Sequence, residues 1–143
     1  MGAWGTGSFD NDTACDWAQD LEGTEDYSLI ERTLRSVAEV ETDTYLDADL
    51  ACCGIAAAET LARRLGGEGK KSAHTEIVDR WVERREQEPP PELINLAAAV
   101  LRRIVSPQSE LLELWEDEGA GEEWMGSIET LLGRLSRPNK ARR

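Results

Sequence analysis

The sequence is short of the residues from which most catalytic and metal sites are built. It has one histidine, His74, and three cysteines, with neither Cys-x-x-Cys nor His-x-x-x-His spacing anywhere. A zinc centre takes three or four such ligands at characteristic spacings, so no metal and no cofactor is expected. Cys15, Cys52 and Cys53 are odd in number. The adjacent pair would point about 100° apart on a helix, a poor geometry for a bond between them. All three are expected as free thiols that pack as small hydrophobes, which suits a reducing compartment. No segment alternates as a strand does, and no motif repeats at a fixed period. No apolar run reaches the roughly 18 residues of a membrane span, and the first residues lack the basic and apolar stretches of a secretory signal. The expectation is a cytoplasmic protein with no membrane contact.

Positive charge is also scarce, above all early in the chain. Before Thr60 only Arg32 and Arg35 stand against fourteen Asp or Glu, whereas the remainder is nearly balanced at fifteen acidic and fourteen basic residues. The net charge of -13 therefore belongs to the N-terminal half. Such a surface repels nucleic-acid phosphate and attracts basic proteins.

What is present is helical periodicity. A chain of 143 residues is one ordinary domain, long enough to bury a core without staples. Its organising stretch is Leu46 to Leu65, LDADLACCGIAAAETLARRL, ended by Gly66 and Gly67. Ala48, Cys52, Ile55, Glu59 and Ala62 share one stripe of this helix, and most other positions are Ala, Cys, Gly or Leu, so neighbours can approach it closely. A first helix is predicted after the Asp10, Asn11, Asp12 cluster, with Ala14, Trp17, Ala18 and Leu21 inward. A second runs over Tyr27 to Val40, with Ser28 as N-cap and Glu31 completing a capping box. Ile77, Val78, Trp81 and Val82 mark the next, stopped by Pro89 to Pro91; Leu93 to Val105 follows. Ser106 and Pro107 are expected to start a helix carrying Leu111, Leu114 and Trp115, and Trp124, Ile128, Leu131 and Leu135 line the last. The expected fold is an irregular all-α bundle of about seven helices around the small-residue helix. Residues 1–136 form its single domain, and residues 137–143 a basic flexible tail. Glycines at 2, 5 and 7, around Trp4 and before Phe9, suggest a short non-helical plug that tucks both aromatics inward. The segment GGEGKKS is a connector and not a phosphate loop, because Arg64 stands where the first glycine of that motif belongs.

The opening MGAWGTGSFDNDTACDW, the central YLDADLACCGIAAAETLA and the late SPQSELLELWEDEG resemble the bacterial family named domain of unknown function 4259. The likeness spans nearly the whole chain. It implies a small single-domain bacterial protein and brings no activity, cofactor or catalytic residue. The Cys52-Cys53 pair departs from it, since small or polar residues are expected there.

Two groups of carboxylates are the candidate binding residues. Asp12, Asp16 and Asp20 repeat at i, i+4 on the side of their helix away from its apolar face, as a solvated row or a surface for a basic partner. Glu59 sits on a buried stripe and must either hold its proton or pair with a cation such as Arg32, Arg80 or Arg102. The favoured function is a non-enzymatic acidic helical protein that engages a basic protein partner, as a regulator or immunity-type inhibitor. The alternatives are a small enzyme or ligand-binding domain with a pocket around Glu59, and a mimic of nucleic acid; binding of nucleic acid itself is not expected.

Overall fold

The computed structural model describes residues 5–66, 69 and 71–136. These form seven helices, α1 (Asp12–Glu22), α2 (Ser28–Ala38), α3 (Ala48–Arg64), α4 (Glu76–Glu83), α5 (Pro91–Ile104), α6 (Glu110–Asp117) and α7 (Gly121–Ser136). The fold is all-α, as the periodicity indicates. Leu46 and Ser109 form an isolated parallel bridge. No described helix is long and apolar enough to cross a membrane. Trp4, most of the glycine-rich connector after Gly66, and the basic tail lie outside the described residues.

Helix α3 is the centre of the bundle, in contact with each of the other six. Asp47 caps it by accepting the Leu50 amide at 3.0 Å, and Gly66, with a φ of 94°, turns the chain away at its end. Its residues are small for a reason that the neighbours make visible. A Cβ added to Gly54 would lie 3.1 Å from Val37 Cγ2 of α2 and 3.2 Å from Val100 Cγ1 of α5. Both helices are thus seated against the α3 backbone. A leucine at position 54 must push them off, and overpacking of this kind costs about 1–3 kcal/mol. Gly54→Leu should accordingly lower the urea midpoint with little change in slope; an unchanged midpoint would show that α2 and α5 do not rest there.

Helix starts follow local hydrogen bonding, and two differ from the sequence expectation. Of the three candidate caps of α1, Asn11 serves, accepting the Ala14 amide at 2.8 Å. Ser28 is the first residue of α2 instead of its cap, because Asp26 Oδ1 takes the Ser28 amide at 3.0 Å and leaves Ser28 free to adopt helical geometry. Helix α6 begins later than expected and is capped by Ser109, which accepts the Leu112 amide at 3.4 Å. Ser106 closes α5 instead, its hydroxyl donating to the Arg103 carbonyl at 2.6 Å. The delay has a cause: the Leu46 amide donates to the Gln108 carbonyl at 2.8 Å and the Glu110 amide to the Leu46 carbonyl at 3.0 Å, which holds Ser109 extended.

Arg103 fastens the same corner. Its buried guanidinium donates to the carbonyls of Thr44 at 2.6 Å and Glu41 at 3.2 Å, joining the connection before α3 to the end of α5. The four described tryptophans, Trp17, Trp81, Trp115 and Trp124, are all core residues. Trp17 Nε1 donates to Thr33 Oγ1 at 2.9 Å and Trp81 Nε1 to the Thr24 carbonyl at 3.0 Å, so these two buried indoles keep their polar edge satisfied. Of the plug, residues 5–10 are non-helical and Phe9 is buried.

Candidate functional site

Glu59 lies within the bundle, on the face of α3 that meets α7 and the N-terminal loop. Its Oε2 accepts from Arg63 Nε at 2.8 Å and Arg134 Nη2 at 3.0 Å. Its Oε1 accepts from Arg134 Nη1 at 2.8 Å and Ser8 Oγ at 3.1 Å. A carboxylate offers about four acceptor directions, and four donors occupy them. Arg63 Nη1 continues to Asp79 Oδ1 of α4 at 2.9 Å. One buried cluster thereby ties α3, α4, α7 and the N-terminal loop together. The backbone at Gly69 also passes close by, since a Cβ there would lie 2.6 Å from Glu59 Oε2.

The cations are not those expected. Arg32 and Arg102 are exposed, and Arg80 stands beside Glu22 at 3.7 Å and Glu76 at 3.9 Å. Arg63 had a sequence signal, being four residues after Glu59 and hence on the same helix face. Arg134 had none, because it is 75 residues away. Glu59 does line a cavity of about 360 Å³ with Ser8, Ser127 and Thr130. A general base, however, needs a lone pair free to face the substrate, and those of Glu59 are taken up by the protein itself.

The aspartate row is arranged differently. Asp12, Asp16 and Asp20 are all exposed on α1, and none forms an ion pair among the described residues. The row and the Glu59 cluster are separate sites. Thr13 Oγ1 donates to Asp49 Oδ1 at 3.2 Å, which brings the start of α3 and its acids beside α1. The three cysteines, all free and half-buried, register the field of this face. Burial first, then Asp12 and Asp16, raise the Cys15 thiol above its ordinary value, while its Sγ donates to the Phe9 carbonyl at 3.3 Å. Cys52 is pushed up to about 12, by burial first and then by Cys53, Asp49 and Asp47. Cys53 rises to about 11 through burial, Asp49, Asp20 and Asp47. The thiolate is the nucleophile and the metal ligand, so these thiols, protonated at neutral pH, are unsuited to either task. Among the described residues no group of three or more His, Cys, Asp or Glu is placed to hold a metal ion. His74 is exposed, its amide donating to Ser72 Oγ at 3.2 Å.

Residues 2–127 match the family described as Domain of unknown function (DUF4259). The chain belongs to this family. The match confirms the resemblance carried by the glycine-rich opening, the α3 segment and the α6 segment. Within the DUF4259 span lie Ser8, the aspartate row, Glu59, Arg63 and Asp79, while Arg134 lies beyond its end. No match is found among curated proteins or among solved structures. The DUF4259 description carries no activity, and the role of the domain must be argued from its geometry.

Proposed function

We propose that this DUF4259 domain is a non-catalytic binding protein whose acidic N-terminal face engages a basic protein partner, in the manner of a regulator or an immunity-type inhibitor. The observation that carries this reading is the exposed row Asp12, Asp16, Asp20, which has no cation paired to it among the described residues. Like charges at i, i+4 cost a few tenths of a kcal/mol per pair. A basic surface laid against the row relieves that repulsion and is drawn to it at long range, with association rates that fall as salt screens the field. The buried carboxylate offers no comparable opening for chemistry, because Glu59 is saturated by Arg63, Arg134 and Ser8.

The test is the combined change Asp12→Asn, Asp16→Asn, Asp20→Asn. Since these side chains are solvated, stability should stay within about 0.5 kcal/mol of the parent. Association with a partner captured from the native host should slow, and its dependence on salt should weaken. A partner that binds the variant at the parent rate, equally at low and high salt, would refute the acidic-face reading.

A further inference from the structure

A cleft of about 390 Å³ opens where the N-terminal loop, the starts of α1 and α3, and helix α6 meet. Its apolar part is made by Ile55, Leu111, Trp115 and Trp124, and its polar part includes four carboxylates, Asp12, Asp47, Asp49 and Glu110. Among the described residues none that lines the cleft is basic, and none of the four acids forms an ion pair. Three of them are held in place by neutral donors. The Leu50 amide donates to Asp47 at 3.0 Å, Thr13 Oγ1 to Asp49 at 3.2 Å and the Ala48 amide to Glu110 at 2.8 Å. Each such bond uses part of a carboxylate's acceptor capacity, and beyond the amide dipoles of the helix starts no described cation balances the four charges.

We infer that this cleft receives an arginine side chain of the basic partner, an inference that rests on the acidic-face reading above. An anion is repelled by the four acids, and a purely apolar group would desolvate them without a countercharge. A long side chain with a cationic end meets both parts at once, its stem on the apolar wall and its charge among the carboxylates. Arginine fits better than lysine, because its flat, weakly hydrated guanidinium bridges several carboxylate oxygens and lies against indole rings. Asp12 belongs both to the cleft and to the α1 row. A basic polypeptide anchored in the cleft therefore continues along Asp16 and Asp20, which a free amino acid does not.

The probe is a set of blocked hexapeptides that alternate glycine with arginine, lysine, leucine or glutamate, together with free arginine amide, titrated into the full chain with the tryptophan indole signals followed by NMR. The arginine peptide should saturate, shift the indoles of Trp115 and Trp124, and bind at least tenfold more tightly than the leucine and glutamate peptides and than arginine amide. Asp49→Asn and Leu114→Lys should each weaken it at least tenfold. Leu114 is a half-exposed cleft residue, so its exchange for lysine brings a competing cation without opening the core; unchanged melting of both variants confirms that they are folded. If Asp16→Asn with Asp20→Asn weakens binding but Asp49→Asn and Leu114→Lys do not, the acidic face stands and the cleft inference falls. Lysine binding as tightly as arginine, binding that appears only when residues 1–4 are removed, or self-association abolished by Leu114→Lys with no peptide bound would each overturn it in favour of another occupant. If no peptide binds, it is likewise overturned.

Discussion

Glu59→Ala is expected to destabilise the domain by about 3–5 kcal/mol, the usual cost of removing one partner from a buried ion pair. The side chains of Glu59, Arg63 and Arg134 are 6%, 5% and 13% exposed, and the carboxylate is what allows two guanidiniums to share one interior site. Without it, Arg134 loses both of its charge-assisted bonds to Glu59, and the two cations face each other across the cavity left behind. Glu59→Gln should cost nearly as much, since the amide is uncharged and turns a donor toward one of the arginines. Replacing Glu59, Arg63 and Arg134 together by methionine removes the unpaired charges along with the pair, and should recover much of the loss. Equilibrium urea unfolding of the three variants checks this order. If Glu59→Ala unfolds like the parent, the cluster is not the structural tie described here. If Glu59→Gln keeps its stability yet abolishes a ligand-dependent activity, the pocket around Glu59 is the functional site after all.

The parts of the fold legible in the sequence were those set by a single segment. Helix α3 announces itself by its run of small residues, the Asp47 cap and Gly66, and the Glu59 stripe was visible for the same reason. The starts of α2 and α6 are not legible in this way, because Ser28 and Ser106 suit more than one local arrangement. What decides between them is Asp26 in one case and the Leu46–Ser109 bridge in the other, the second a contact across more than 60 residues. The partners of Glu59 divide in the same way. Arg63 follows from i, i+4 spacing, whereas Arg134 and Ser8 reach Glu59 only through packing. The exposure of the aspartate row was legible from its position opposite Trp17 and Leu21. The cleft was not, since its four acids come from α1, from the start of α3 and from α6, and only tertiary structure brings these together.

Phe9→Ala is expected to cost about 3 kcal/mol, the lower end of the range for truncating a buried aromatic, because a surface loop relaxes more readily than a helix. Phe9 is only 2% exposed although no helix carries it. The segment around it is fixed by a set of specific bonds. The Gly7 amide donates to Asp10 Oδ2 at 3.0 Å, and the Asp10 amide returns to the Gly7 carbonyl at 3.1 Å. Ser127 Oγ reaches the Thr6 carbonyl at 3.3 Å, and Ser8 Oγ reaches Glu59 Oε1 at 3.1 Å. A side chain at position 7 would have to displace the buried Asp10 carboxylate, since its Cβ would come 2.7 Å from Asp10 Oδ2. Loss of the Phe9 anchor should loosen this whole segment, and with it the Ser8 bond to the buried carboxylate. Residues that share such a network couple by about 0.5–3 kcal/mol. The double variant Phe9→Ala, Glu59→Ala should therefore cost less than the sum of its singles. Gly5 to Ser8 also line the acid-rimmed cleft, so Phe9→Ala should weaken the arginine peptide at temperatures where the domain is still folded. Strict additivity with Glu59→Ala, combined with unchanged peptide affinity, would mean that the loop packs on the bundle independently of both sites.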